Sequence, residues 1–115
     1  MIDYIPYSTQ DISKDDIESV IQVLKSDFLT QGPLVPKFEK EFQNKFLTKG
    51  AVAFNSATSA LHISCLSLGL KENDIVWTSP NSFVASANCA VYCGAKIDFV
   101  DIDINTFNID IDLLR

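Results

Sequence analysis

The sequence has little of several features that mark particular classes of protein. It contains only four glycines and four prolines in 115 residues, which excludes a collagen-like or low-complexity chain. It has no run of about 18 apolar residues, so it predicts no transmembrane helix. Lysine and arginine total 9 against 15 aspartates and glutamates, and this net charge of -6 argues against nucleic acid or an anionic membrane surface as a partner.

Cysteine is also scarce and is not spaced for a disulfide framework or a zinc site. Cys65, Cys89 and Cys93 form an odd set without a CxxC motif, and each has apolar neighbours in the sequence. Buried packing is favoured over a metal pair for Cys89 and Cys93, which are four residues apart. Reduced thiols in a soluble, cytoplasmic protein fit this pattern best.

Two amphipathic helices are predicted in the first half of the chain. Ser13 is placed to cap the first helix. Pro36 is expected to begin the second, which ends near Lys49 and Gly50. The apolar positions that define the two faces are Ile17, Val20, Ile21 and Leu24 in the first helix and Phe38, Phe42 and Phe46 in the second. Each helix therefore has an apolar stripe that needs a cover.

Strands and helices alternate in the second half. The predicted strands are AVAF (51–54), IVWT (75–78) and KIDFVD (96–101), and the predicted helices are 58–68, stopped by Gly69, and 83–93, stopped by Gly94. Helix 58–68 is apolar nearly all round, so we expect it to be covered on most sides. Single helices between strands require crossover connections, which predicts parallel pairing and an α/β fold.

The sequence of the last segment, residues 101–115, predicts a loop followed by a helix that Asp110 or Asp112 would cap. Such a helix has room for about one turn before Arg115, whereas a helix usually has about 11 residues. Three strands also make a small parallel sheet. We therefore expect residues 1–115 to be one incomplete domain, the front portion of a larger α/β domain, without a second domain.

A run of small polar residues follows the first predicted strand and leads into a helix. In parallel α/β folds ligands bind where strands turn into helices. Ser56, Thr58 and Ser59 lie at such a turn, where free backbone N–H groups, the helix dipole and hydroxyl donors together suit a phosphate. The alternative is that Ser56 or Thr58 only caps the helix.

A second strand-to-helix turn, residues 78–85, places Phe83 at the start of the next helix. An aromatic ring there could stack on a planar ligand, although a core position is the more common fate of a single phenylalanine. A phosphate loop at one strand end and a flat aromatic at the next describe a ligand that is both phosphorylated and planar. Pyridoxal 5'-phosphate (PLP) has this chemistry.

Four blocks of sequence, in order, resemble the N-terminal part of the DegT/StrS-type sugar aminotransferases. They are LTQGPLVPKFEKEF (29–42), FNSATSALHISCLSLGL (54–70), TSPNSFVASANCAVYCGAKIDFVDID (78–103) and TFNIDIDLL (106–114). The resemblance implies the large domain of the fold type I PLP-dependent enzymes and a homodimer. It also implies transfer of an amino group from glutamate to a keto group of a nucleotide-linked sugar.

Within that family, FNSATSAL, TSPNSFVA and Tyr7 resemble most the branch that aminates a UDP-linked 4-keto-6-deoxy-N-acetylhexosamine on the route to pseudaminic-acid-like sugars. The resemblance implies cofactor-binding roles for the phosphate loop and for the stacking aromatic, which are Ser56, Ala57, Thr58, Ser59 and Phe83. It implies a place near the substrate entrance for Tyr7, Thr30 and Gln31, for which ordinary loop and turn positions are the alternative.

Asn55 and His62 flank or follow the same loop. Asn55 either belongs to the cofactor loop or satisfies backbone groups at the strand end. His62, the only histidine, is expected to be structural, because in this family the proton-moving group is a lysine.

The family's Schiff-base lysine and the aspartate that pairs with the pyridinium nitrogen are expected beyond residue 115. None of the eight lysines here has a matching context, so residues 1–115 alone are expected to be inactive. A PLP-dependent sugar dehydratase of the same fold is the second reading. The third is a free-standing small α/β domain that binds a phosphorylated ligand or nothing.

Overall fold

The computed structural model describes residues 4–115 and divides the chain into two compact units, Met1–Val52 and Ala53–Arg115. The first unit contains helices α1 and α2. The second contains helices α3 and α4 and strands β1 and β2. Among the described residues no helix is long and apolar enough to cross a membrane.

Helix α1 spans Lys14–Leu24 and begins where the sequence predicts, with Ser13 as its N-cap. The Ser13 hydroxyl accepts a hydrogen bond from the Asp16 backbone N–H at 3.2 Å, and the Asp16 carboxylate accepts from the Ser13 N–H at 2.8 Å. This reciprocal pair is a capping box. The Ser13 hydroxyl also donates to the Asp16 carboxylate at 2.7 Å. This bond, followed by the one from the Ser13 N–H, holds the pKa of Asp16 below its usual value.

Helix α2 spans Leu34–Phe46, so it begins two residues before Pro36 and ends before Lys49 and Gly50. Pro36 is accommodated within the first turn because the N–H groups there have no acceptor inside the helix. The helix ends because Leu47 takes the left-handed conformation, with φ of 53°. Phe42 and Phe46 stack with their ring centroids 4.4 Å apart, yet the phenylalanine stripe is exposed along its length.

The second unit is built on a parallel pair of strands, β1 at Ile75–Thr78 and β2 at Lys96–Phe99. Ile75 pairs with Lys96 and Thr78 with Phe99. Helix α4, Ala85–Tyr92, connects the two strands as the crossover that parallel pairing requires. The predicted α/β architecture, with parallel strands and a helix against them, is confirmed.

Helix α3, Ala57–Ser67, packs against α4, and α4 also contacts both strands. Gly69 and Gly94 follow the two helices with φ of 82° and 78°, which is the left-handed conformation that glycine adopts at low cost. Both predicted stops are confirmed. The expectation that α3 is covered on most sides is wrong, since α4 covers one side and Leu61, Ile63 and Leu66 remain exposed.

The strand predicted at 51–54 is not formed. These residues take no strand assignment, and the side chains of Val52 and Phe54 are exposed rather than buried. A short apolar run becomes a buried strand only when neighbours flank it in a sheet. In the described part of the chain the sheet has two strands, β1 and β2.

The predicted helix near the chain end is also absent. Residues 101–115 form turns, with an isolated antiparallel bridge between Ile102 and Ile109. The Asp110 carboxylate accepts from the N–H groups of Asp112 at 2.8 Å and Leu113 at 3.3 Å, which are the bonds of a turn and not the cap of a helix. The residues that follow Asp110 take turn conformations, so its carboxylate stabilises a turn at this point.

The buried core is small and lies around α4 and β2. Its members in the described structure are Ala85, Cys89, Ala90, Ala95 and Val100. Ala90 is fully buried, with no exposed surface. All five side chains are small, so the core holds α4 close to the strands but leaves most of the large apolar side chains of the unit open to solvent.

Candidate functional site

The start of α3 is shaped by the residue before it. Ser56 is the N-cap, with extended backbone (φ -157°, ψ 154°), and its hydroxyl oxygen accepts a hydrogen bond from the Ser59 N–H at 3.1 Å. The capping role that the sequence allowed for Ser56 is therefore present. Capping does not exclude ligand binding, because one cap satisfies only one of the free N–H groups in the first turn.

Three side chains around this turn are linked by further hydrogen bonds. The hydroxyl oxygens of Ser56 and Ser59 lie 3.0 Å apart, and the Ser59 hydroxyl donates to the Asn55 side-chain oxygen at 3.0 Å. Asn55 thus bonds to a side chain rather than to the backbone groups that the sequence suggested. A signal for this bond existed in the spacing, since Asn55 lies four residues before Ser59 at the entry to a helix.

Other donors in the same turn have no acceptor within the described structure. They are the backbone N–H groups of Ala57 and Thr58 and the hydroxyl of Thr58. Thr58 is half-buried and Ala57 is exposed. Free N–H groups at the positive end of a helix, with a hydroxyl beside them, are the donor set that suits a phosphate group. The residues present therefore fit the phosphate of PLP.

Phe83 follows β1 through a turn and lies just before α4. The turn is held by the Ser79 hydroxyl, which accepts from the Asn81 N–H at 3.2 Å, and by a hydroxyl pair between Ser82 and Ser86 at 3.0 Å. The Phe83 side chain is 74% exposed, so it is not the core residue that the simpler reading favoured. An open aromatic ring beside a strand end fits a planar heterocycle.

Helices α3 and α4, which follow these two turns, are packed together. His62 on α3 meets Tyr92 on α4 edge to face, with ring centroids 5.3 Å apart. Ser56, Ala57, Thr58 and Ser59 thus lie together at the start of one helix, and Phe83 lies at the start of the helix that packs against it.

The other three predicted site residues, Tyr7, Thr30 and Gln31, lie in the first unit. Tyr7 is fully exposed. Thr30 and Gln31 lie in the loop between α1 and α2, where Gln31 takes the left-handed conformation with φ of 53°. Gln31 also lines a mostly apolar cavity of about 530 Å³ formed by the end of α1, this loop and the start of α2.

The three cysteines come together where α3 meets α4, a proximity that the sequence did not predict for Cys65. Burial is the main cause that raises the pKa of the Cys65 thiol, and a hydrogen bond with Cys89 adds to it. The Cys89 thiol in turn donates to the Ser86 carbonyl at 3.3 Å. Across residues 4–115, no group of three or more His, Cys, Asp or Glu side chains is arranged to hold a metal ion.

A sequence model of the DegT/DnrJ/EryC1/StrS aminotransferase family matches residues 10–115. Among curated relatives, the UDP-4-amino-4,6-dideoxy-N-acetyl-beta-L-altrosamine transaminase of Campylobacter jejuni is 45% identical over 106 residues. That match covers 92% of this chain and 28% of the relative. The chain therefore spans little more than a quarter of the length of the relative that it matches.

Solved structures of similar proteins have the same fold. A Streptococcus pneumoniae protein described as a sugar aminotransferase, in its PLP form, matches with a TM-score of 0.88 and 34% identity over 96% of this chain and 28% of its own. The GDP-4-keto-6-deoxy-D-mannose-3-dehydratase of Escherichia coli, with bound hydrated PLP, matches with a TM-score of 0.85 and 29% identity. This second match covers 93% of this chain and 29% of the dehydratase.

Proposed function

Because the chain belongs to the DegT/DnrJ/EryC1/StrS aminotransferase family, we propose that residues 1–115 are the N-terminal segment of the large domain of a PLP-dependent sugar aminotransferase. The observation that carries this proposal is the start of α3. There the N–H groups of Ala57 and Thr58 and the hydroxyl of Thr58 have no protein acceptor in the described structure. These three free donors suit the phosphate group of a phosphorylated cofactor.

The cofactor site of this segment consists of the loop at 56–59 and Phe83. The loop binds the phosphate of PLP, and Phe83 offers its exposed ring to the pyridine. PLP, when bound, supplies an electron sink that stabilises negative charge beside the substrate nitrogen. The segment's own residues bind and orient the cofactor. None of them is assigned a proton-transfer role, and His62 is instead packed against Tyr92.

The proposed substrate is a nucleotide-linked 4-keto-6-deoxy sugar, with a UDP-linked N-acetylhexosamine as the first choice and glutamate as the amino donor. Its support is the 45% identity to the Campylobacter jejuni transaminase. Tyr7, Thr30 and Gln31 are proposed to contact this substrate. The full-length enzyme is proposed to be a cytoplasmic homodimer that serves the synthesis of pseudaminic-acid-like sugars.

Residues 1–115 by themselves are proposed to be inactive. Amino transfer with PLP needs a lysine that forms a Schiff base with the cofactor. None of the eight lysines in the sequence has a context like that of the family's catalytic lysine. The remaining two-thirds or more of the enzyme would supply this residue and cover the exposed apolar faces.

A PLP-dependent sugar dehydratase is a second candidate, favoured by the structural match to the Escherichia coli dehydratase at 29% identity. Both kinds of enzyme would use the same phosphate loop and the same aromatic ring. The two candidates are separated by assaying the full-length protein with glutamate and a UDP-linked or GDP-linked 4-keto-6-deoxy sugar. An amino sugar identifies the aminotransferase, and a deoxygenated keto sugar identifies the dehydratase.

The cofactor site is tested with Thr58→Val and Phe83→Ala in the full-length protein. Thr58→Val removes a hydroxyl donor to a charged group, so we expect PLP affinity, measured by absorbance titration, to fall by about 10-fold or more. Phe83→Ala removes a ring that stacks on the cofactor, with an expected loss of about 10-fold. Phe83→Tyr, which keeps the ring, and Thr48→Val, at an exposed site in the first unit, serve as controls. Wild-type affinity in both Thr58→Val and Phe83→Ala would contradict the site.

A further inference from the structure

We propose that the ring contact between His62 and Tyr92 holds the two halves of the cofactor site at the spacing that one PLP molecule needs. One half is the loop at 56–59, which leads into α3, and the other is Phe83, just before α4. His62 and Tyr92 are thus positioning residues, which act through the two helices and do not touch the cofactor. Their role rests on the proposed function, because it requires that both halves bind PLP.

Each half of the site is fixed to its own helix by a backbone hydrogen bond. The loop continues into the first turn of α3, where the Ala60 N–H donates to the Ser56 carbonyl at 3.1 Å. The Phe83 carbonyl accepts from the Ser86 N–H at 3.0 Å, which ties Phe83 to the first turn of α4. A rotation or sliding of α3 against α4 therefore changes the distance between the phosphate donors and the aromatic ring.

The buried side chains of α4 hold this helix closely but give it little directional restraint. They are Ala85, Cys89 and Ala90, all of which are small. Apolar burial is non-directional, whereas a pair of aromatic rings has preferred edge-to-face geometries. His62 and Tyr92 have such a geometry, with ring centroids 5.3 Å apart and an angle of 63° between the ring planes. This contact is therefore suited to fix the angle between the two helices.

The positions of the two rings suit this task. His62 lies four residues after Thr58, which places the two residues about one turn apart on the same side of α3. Tyr92 is the last residue of α4, whereas Phe83 precedes the first turn of that helix. A restraint at the last residue of a short, rigid helix limits the tilt of its first turn. The contact thus links the phosphate end of α3 to the orientation of Phe83.

The expected benefit is that the two halves of the site can act on one ligand at the same time. Once one end of a ligand is bound, its other end meets the second half of the site at a high effective concentration. That gain is lost when the spacing of the two halves is wrong. Loss of the ring contact should therefore weaken the binding of PLP, while each half keeps its own affinity for phosphate or for the pyridine ring.

The test compares three ligands in the full-length protein after removal of its cofactor. PLP engages both halves of the site, pyridoxal offers the ring without the phosphate, and inorganic phosphate offers the anion alone. Absorbance titration gives the dissociation constants of PLP and pyridoxal, and competition with PLP gives that of phosphate. We expect His62→Ala and Tyr92→Ala each to weaken PLP binding by about 3-fold to 10-fold, as loss of one edge-to-face pair predicts. The affinities for pyridoxal and phosphate should not change.

Conservative and double variants complete the test. His62→Phe and Tyr92→Phe keep a ring at each position, so both should bind PLP with wild-type affinity. The double alanine variant should bind PLP no more weakly than the weaker single variant, because both changes remove the same contact. Ser64→Ala, at an exposed position on α3, is the control. Tyr92 is 53% exposed, so Tyr92→Ala is expected to fold and supports the test even if His62→Ala does not.

The positioning role is overturned if Tyr92→Ala binds PLP with wild-type affinity, or if the phenylalanine variants bind it as weakly as the alanine variants. It is also overturned if phosphate or pyridoxal affinity falls as much as PLP affinity, because one half of the site would then be damaged. A wild-type protein that binds PLP no better than pyridoxal would instead reject the phosphate loop, and with it the proposed function. The two failures are therefore distinguishable.

Discussion

The helices of the two units are built on opposite plans. In the first unit, α1 and α2 each have one apolar stripe and a polar or charged remainder. No Cα atom of α1 lies within 8 Å of a Cα atom of α2. In the second unit, α3 and α4 carry small and apolar residues on nearly every side and pack against each other. The difference indicates that α1 and α2 are suited to an outer surface, whereas α3 and α4 are suited to an interior layer beside the sheet.

The largest loss of stability is expected from a substitution at Ala90, the most buried residue of α4. Ala90→Asp places a charge where no surface is exposed, between α4 and its neighbours. We expect the free energy of unfolding to fall by several kcal/mol, enough to unfold the second unit. Urea unfolding followed by circular dichroism measures the change. Ser64→Asp, which introduces the same charged side chain at an exposed position on α3, is the control. It should lower the free energy of unfolding by about 0.5 kcal/mol or less. Equal effects at the two positions would contradict the packing described here.

A smaller effect is expected from one glycine in each unit. The two glycines differ in backbone conformation, since Gly94 has φ of 78° and Gly50 has no positive φ. Both have room for a side chain. An added Cβ would meet nothing closer than 3.8 Å at Gly94 and nothing within 4 Å at Gly50. Gly94→Ala should therefore destabilise the protein by about 1 kcal/mol through backbone strain alone. Gly50→Ala should be neutral or slightly stabilising, because alanine has less freedom in the unfolded chain. The urea midpoints of unfolding compare the stabilities of the two variants. If Gly50→Ala lowers stability as much as Gly94→Ala does, backbone strain at Gly94 is not the cause.

The smallest and most local effect is expected in the first unit, at the capping box of α1. The folded-state pKa of Asp16 lies below its ordinary value of 3.8 because Ser13 donates to its carboxylate. A lowered folded pKa gives a stabilisation that is fully present above about pH 3.8 and is lost as the pH falls through the folded pKa. Amide hydrogen exchange of residues 14–17, followed between pH 2 and 6, should show this acid-induced loss of protection.

Ser13→Ala should remove both the cap and most of that pH dependence, because the Ser13 hydroxyl donates to the Asp16 carboxylate. Ser19→Ala is a suitable control, since the Ser19 hydroxyl bonds to the Asp15 carbonyl and not to a carboxylate. An unchanged acid transition in Ser13→Ala would show that the pKa of Asp16 is lowered by something other than Ser13.

Local signals in the sequence predicted the fold where each element contains its own determinants. Ser13, Gly69 and Gly94 mark helix ends through backbone and side-chain preferences that operate within a few residues, and these ends were predicted. The strand at 51–54 and the last predicted helix are not formed. A strand depends on neighbours in a sheet, and the Asp110 bonds that suggest a helix cap also stabilise an isolated turn. The wrong expectation for α3 has the same cause. Its apolar residues show that the helix can be buried, but the sequence does not show which element covers each side.

The candidate site shows the same limit. Residue types and spacing identified Ser56, Thr58 and Phe83 as candidates, because a helix start and a strand-end aromatic are local features. The exposure of Phe83 could not be predicted, since it depends on how the turn at 79–82 directs the chain. The bond between Asn55 and Ser59 depends on side-chain orientation, which the sequence leaves open between two readings.

The register of the parallel strands has a consequence for how the protein folds. Each residue of β1 pairs with one 21 positions later, as Ile75 does with Lys96, so the pair with its connecting helix forms within one short stretch of chain. Closing a loop of this size has a modest entropic cost, and short-range contacts of this kind favour rapid assembly. During synthesis on the ribosome, the segment from β1 to β2 is therefore expected to fold early, as a seed on which later elements assemble.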